Sequence, residues 1–166
     1  PGIQWIRLQY CYPEEITDEL IETIKNEEKV CHYLDIPIQH ASDAILKRMG
    51  RRTSNKEIRE LVAKLRREIP DIALRTTFIS GFPGETEEDH ETLMEFVDDM
   101  EFDRLGVFAY SPEEDTPAYS FKDQVPDEVK EDRRAEIMEL QQDIAFEKSE
   151  SMKGNVLEVM IEGKVA

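Results

Sequence analysis

The stretch from Phe78 to Thr86, Phe-Ile-Ser-Gly-Phe-Pro-Gly-Glu-Thr, sets Gly81 and Gly84 on either side of a Phe-Pro pair and runs straight into acidic residues. Glycines so placed relieve a tight turn and allow backbone to pass close to a ligand. A phosphate loop would need Lys and Ser or Thr directly after the second glycine, and Glu85 stands there instead. Glu87, Glu88 and Asp89 already fill the positive end of the helix that follows, where a bound anion would otherwise be favoured. The turn is therefore either plain structure or one wall of a pocket for something other than a phosphate.

A second group lies in "DIPIQHAS", which brings Asp35, Gln39, His40 and Ser42 together. Gln39 both donates and accepts, which suits a ribose or an amino-acid head group; His40 is placed to move a proton or simply to cap a turn. Arg75 interrupts an otherwise apolar run and needs a carboxylate, from Asp35 in the neighbouring strand or from a ligand. His32 and His90 flank charged helical residues and read as surface positions. The three histidines with Cys11 and Cys31 have no metal-ligand spacing, so no metal site is assigned within the chain. Neither a Gly-x-Ser-x-Gly nor a Ser-His-Asp arrangement points to a hydrolase.

These residues must be held by a scaffold, and the apolar periodicity supplies one. Strands are expected at Ile3 to Tyr10, Tyr33 to Gln39, Ile72 to Ile79 and from Leu105. Between them run helices whose apolar stripes are Ile16, Leu20, Ile21 and Ile24, then Ile58, Leu61, Val62 and Leu65, then Leu93, Phe96, Val97 and Met100. Ser42 and Thr86 read as N-caps, and Ser54 with Glu57 as a capping box. Pro126 opens a long helix facing inward through Val129, Ile137, Leu140 and Ile144. After Gly154, "NVLEVMIEG" looks like the first strand of a small β module. Alternating strand and helix imply right-handed crossovers and a parallel α/β sheet, open or part of a (β/α) barrel, with the site at the C-terminal strand ends.

The chain has 166 residues, enough for one domain with a real core. It starts at Pro1 and stops inside a strand-like run, so it reads as a piece of something longer. Its net charge of −17 argues against non-specific binding to nucleic acid or an anionic membrane and favours a basic partner. The charge is uneven: Glu85 to Asp103 holds ten acids and no Lys or Arg, whereas Asp43 to Arg75 holds ten basic residues against five acids. Solvated helix faces account for much of this. Two isolated cysteines, no secretory segment and no bilayer-length apolar run point to a cytoplasmic location with reduced thiols and no membrane association.

Four longer stretches, "YLDIPIQHASDAILKRMGR", "LRTTFISGFPGETEED", "FDRLGVFAYSPEEDTPA" and "QVPDEVKEDRRAEIMELQQDIA", resemble in sequence and order the methylthiotransferase branch of the radical S-adenosylmethionine (SAM) enzymes. Within that branch they look most like the group that methylthiolates an aspartate β-carbon of ribosomal protein S12. The resemblance implies the C-terminal portion of a partial TIM-type (β/α)6 barrel in residues 1–152, with about four parallel strands and a closing helix, and the opening strand of a β-type TRAM domain in residues 153–166. It also implies SAM and two [4Fe–4S] clusters in the full-length enzyme. The three-cysteine loop that ligates the radical-generating cluster is not matched by Cys11 and Cys31, so this stretch alone should be inactive.

By position on the strand ends, the resemblance implies cofactor contacts at Gln39, Arg75, Thr77, Ile79, Gly81 and Phe82. It places His40, Ser42, Tyr110 and Ser111 toward the substrate. The relatives that act on tRNA adenosine usually read Gln-Ser-Gly-Ser where this chain has Gln39-His40-Ala41-Ser42. That contrast and the acidic Glu113-Glu114-Asp115 run favour S12, a basic protein met alone or on the small ribosomal subunit, over tRNA. The basic run Lys47, Arg48, Arg51, Arg52 and Lys56 is the best support for tRNA. Asp115 stands where both groups usually carry Gly, at a turn that needs positive φ. Without the resemblance, a non-enzymatic α/β module for a basic partner remains open.

Overall fold

The computed structural model describes residues 2–160 and Gly163. Four strands, β1 (Ile6–Leu8), β2 (Val30–Asp35), β3 (Ala73–Ser80) and β4 (Arg104–Ala109), form one sheet in the order β1-β2-β3-β4, and every pairing is parallel. The helices between and after them are α1 (Asp18–Asn26), α2 (Asp43–Arg48), α3 (Asn55–Glu68), α4 (Glu87–Met100) and α5 (Asp127–Ser151). Sequential parallel order joined by helical crossovers is the arrangement of a (β/α) barrel sector, whereas a doubly wound sheet reverses its order part-way.

β3 shows how the two faces separate. Leu74, Thr76, Phe78 and Ser80 are buried, while Ala73, Arg75, Thr77 and Ile79 point to the other, open face. On the covered side Phe78 meets Phe96 of α4 and Phe102 edge-on, at centroid distances of 6.2 and 6.4 Å. The two buried hydroxyls there are satisfied, Thr76 donating to the Ile36 carbonyl at 2.9 Å and Ser80 to the Lys130 carbonyl at 3.0 Å. The register then fixes the open face, because Asp35 pairs with Arg75, Arg75 with Arg104, Thr77 with Gly106 and Ile79 with Phe108.

The helix starts behave as their sequences require. Ser54 and Glu57 form a capping box on α3, which ends before Pro70, and Thr86 and Asp89 form another on α4. Ser42 sits at the N-cap of α2, but its hydroxyl donates to Asp89 of α4 and accepts no N–H from its own helix. Asp115 adopts φ 68°, so the turn keeps its left-handed residue with Asp in place of Gly. Asp tolerates that region through its short polar side chain.

Several expectations need correction. β1 spans only Ile6–Leu8, because its pairing with β2 shifts register between those residues. His90 is buried, not a surface residue: it lies on the inner face of α4 with Nε2 2.7 Å from Glu136 of α5. Asn155 to Met160 carry no strand and Val156 is fully exposed; the rest of the run expected to open a β module, apart from Gly163, lies outside the described residues.

Candidate functional site

The strand ends open onto two adjoining hollows on the open face. The larger, of about 500 Å3, is walled by Ile79, Phe82, Tyr110 and Phe121, with Gln39 and Arg51 at its edge and Ser111 nearby. Phe82 packs edge-on against Tyr110 at 5.2 Å and against Phe121 at 6.3 Å. A smaller hollow of about 330 Å3 shares Gln39 and Arg51 and adds Arg75, Thr77, Tyr12 and Phe108. Together they form an aromatic trough with a polar floor, the usual makeup of a small-molecule site. A third cavity, of about 550 Å3, lies lower on the same face between Arg7, Tyr33, Arg75 and Lys148. It sits toward the N-terminal ends of the strands, away from the rim where such barrels carry chemistry.

Gln39 is the hinge of the site. Its backbone is left-handed at φ 79°, an arrangement that costs a non-glycine residue about 1 kcal/mol. Its N–H nevertheless donates to the Thr77 carbonyl, and its own carbonyl accepts from the Ile79 N–H, both at 2.9 Å. The ladder is thus carried one bridge past the end of β2. Beside it, Arg75 donates through Nη1 to Asp35 at 2.8 Å; Asp35 is 2% exposed and the arginine side chain 37%. The pairing matches expectation, but Arg75 is a half-open guanidinium at the trough floor rather than a buried one.

The remaining expected site residues go elsewhere. His40 and Ser42 are buried beneath the strand ends, not exposed in the trough. His40 Nδ1 accepts from the Ser42 N–H at 2.9 Å, which puts the ring proton on Nε2. Gly81, at φ 68°, turns toward α5: a Cβ there would lie 2.2 Å from Lys130 Cγ. Its glycine is explained by the helix that closes over it.

Sequence reasoning missed Glu85, whose side chain is completely buried. Its Oε2 accepts from the Gly81 N–H at 2.8 Å and the Phe82 N–H at 3.2 Å, and His40 Nε2 stands 3.3 Å away, off the N–H axis. Its Oε1 accepts from Arg133 of α5 at 2.9 Å, and Arg133 also reaches Glu87 at 3.0 Å. Burial pushes the carboxyl up, but the His40 ring, the Arg133 guanidinium and the Phe82 amide outweigh it and hold Glu85 below the ordinary glutamate range. The signal was present as an acid directly after a Gly-Phe-Pro-Gly turn. Tyr110 moves the other way, its phenol raised by burial and by the Glu113 charge.

The model of the radical SAM superfamily matches residues 2–97, more than half of the chain. The chain belongs to the radical SAM superfamily. Among curated radical SAM relatives, it is 70% identical to the ribosomal protein uS12 methylthiotransferase RimO of Lachnoclostridium phytofermentans, over 99% of this chain and 37% of that protein. It is 58% identical to the protein of the same name from Geobacter sulfurreducens, over 98% of this chain and 36% of that one. The chain thus spans about a third of the length of these relatives. An archaeal Elp3 structure, from Methanocaldococcus infernus with its N-terminus deleted, superposes with a TM-score of 0.62 at 14% identity. It covers 82% of this chain and 32% of its own, and it supports the radical SAM barrel fold alone.

The trough's apolar wall of Ile79, Phe82 and Tyr110 would take a nucleoside group, and Gln39, Arg75 and Thr77 stand where hydroxyl or carboxylate groups would meet them. Among the described residues no three His, Cys, Asp or Glu side chains converge as metal ligands. None of the helices described is long and apolar enough to cross a membrane.

Proposed function

We propose that this chain forms the cofactor- and substrate-facing sector of a methylthiotransferase that modifies an aspartate of ribosomal protein S12 in the cytoplasm. The observation carrying this reading is the 70% identity, over 99% of the chain, to a uS12 methylthiotransferase. Charge agrees with it, since a chain of −17 attracts a basic protein and repels tRNA. Two of the five residues in the basic run that would favour tRNA are engaged within the fold. Arg48 pairs with Asp123 at 2.9 Å, and Arg51 donates to the Pro37 carbonyl and lies over the Tyr12 ring.

On this reading SAM would be held along the trough by Gln39, Arg75, Thr77, Ile79 and Phe82. Bound beside a reduced iron–sulfur cluster, it supplies the one-electron chemistry that removes hydrogen from an unactivated carbon. The chain's own residues bind, orient and exclude water. Arg75, fixed at one nitrogen by Asp35, offers its remaining N–H groups to an anionic ligand group. Thr77 and Gln39 supply short polar contacts, and the Phe82-Tyr110-Phe121 wall keeps water from the reacting carbon. Tyr110 and Ser111, at the outer end of the trough, face the incoming protein.

The two clusters have their ligands elsewhere in the full-length enzyme, so the chain by itself is inactive. Residues 153–166 open a TRAM domain on the same reading. The test is reconstituted full-length enzyme given SAM, reductant and either S12 or tRNA. Methylthiolation of the S12 aspartate supports the reading, and methylthiolation of tRNA alone refutes it.

A further inference from the structure

We infer that Glu85 is a positioning residue which sets both cofactor-facing strand ends at once, fixing Gln39 through His40 and Phe82 through its own amide. This rests on the proposal that the trough binds SAM. Three donors close on this one carboxylate, the Gly81 and Phe82 N–H groups on one oxygen and Arg133 on the other, and the His40 ring packs against the first oxygen with Nε2 3.3 Å away. Successive backbone N–H groups gathered on one oxygen make a rigid anion-holding turn, and here the anion is built into the chain. Burial deprives the carboxylate of water, so these groups are its only solvation among the described residues.

The consequences run outward along the backbone. Phe82 follows the left-handed Gly81, and its ring is the wall shared with Tyr110 and Phe121. Gln39 directly precedes His40, whose ring is held between the Ser42 amide and Glu85. With His40 anchored inside, the left-handed Gln39 has its side chain committed to the trough. Arg133 then ties the assembly to α5, donating to the Glu85 backbone carbonyl at 3.2 Å as well as to the carboxylate. None of these three side chains is exposed enough to touch a ligand, so Glu85 acts only by placing others.

Glu85→Gln keeps the shape but replaces one acceptor oxygen by an N–H2 that faces donors. His40→Asn keeps an acceptor near the Ser42 amide and removes the contact to Glu85. Both are made in the full-length cluster-bearing enzyme, and SAM binding is measured by equilibrium dialysis alongside amide exchange at Gly81 and Phe82. The expected result is weaker SAM binding in both variants, by about tenfold or more for Glu85→Gln, with faster exchange at the two amides. A carboxylate serving stability alone would speed exchange and lower the melting temperature but leave the affinity of the folded enzyme unchanged, and that result overturns the inference. If Glu85→Gln does not fold, His40→Asn decides by the same measure. Failure of the wild-type enzyme to bind SAM overturns the functional proposal and this inference with it, whereas normal wild-type binding with unaltered variants overturns the inference alone.

Discussion

Replacing Gly81 by alanine tests how β3 meets α5. The residue has φ 68°, which disfavours any L side chain by about 1–2 kcal/mol. The new methyl would sit 2.2 Å from Lys130 Cγ, 2.9 Å from its Cβ and 3.1 Å from its Cα, so the side chain cannot swing wholly clear and α5 must shift. Overpacking of that kind adds about 1–3 kcal/mol, for a total near 2–5 kcal/mol. Gly50, at φ 74° with nothing within 4 Å of an added Cβ, supplies the control: Gly50→Ala should cost only the backbone part, about 1–2 kcal/mol. Denaturant unfolding of both variants reads the difference. Lys130→Ala removes the nearest atom, so the Gly81→Ala/Lys130→Ala double variant should recover about 1 kcal/mol of coupling. Equal costs at Gly81 and Gly50, or no coupling with Lys130, would refute the packing argument.

Three further outcomes follow from the same geometry. Arg75→Met leaves the buried Asp35 carboxylate without its cation; because Arg75 is itself 37% exposed, the loss should be about 1–2 kcal/mol, below that for a fully buried pair, read as a shift in the unfolding midpoint. Asp115→Gly relieves a left-handed backbone and should stabilise by a few tenths to about 1 kcal/mol, and a drop in melting temperature would contradict the φ assignment. Glu85 is depressed in the fold, so its contribution is fully present above the unfolded glutamate pKa of about 4.3 and is lost as pH falls through the lower folded value. An acid titration of stability should therefore be flatter for Glu85→Gln than for wild type over that range.

Much of the fold was legible because the local signals agreed. The capping boxes at Ser54 and Thr86 and the breaker Pro70 marked the helices, and the β-branched run before Gly81 marked β3. What escaped the sequence was polar burial. The inner stripe of α5 reads Lys130, Arg133, Ile137, Gln141 and Ile144, and a pattern that counts charged residues as surface finds only its isoleucines. Those polar residues are buried because each has a partner: Lys130 with Asp127, Arg133 with Glu85 and Gln141 with the Phe102 carbonyl. His90 went unrecognised as an inner residue for the same reason, its partner Glu136 lying 46 positions away. Gln39, Arg75, Thr77, Ile79, Phe82, Tyr110 and Ser111, assigned from the family resemblance by strand position, line the trough. His40, Ser42 and Gly81 follow them in sequence yet turn inward, because the groups that claim them, Glu85, Asp89 and Lys130, belong to later elements.

The proposed function is that this chain serves a methylthiotransferase of ribosomal protein S12. Its most direct test is mass spectrometry of S12 and of tRNA from a strain lacking the full-length gene. The account predicts that the S12 aspartate loses its methylthio group while tRNA modification persists. An unmodified tRNA beside a fully methylthiolated S12 would contradict it.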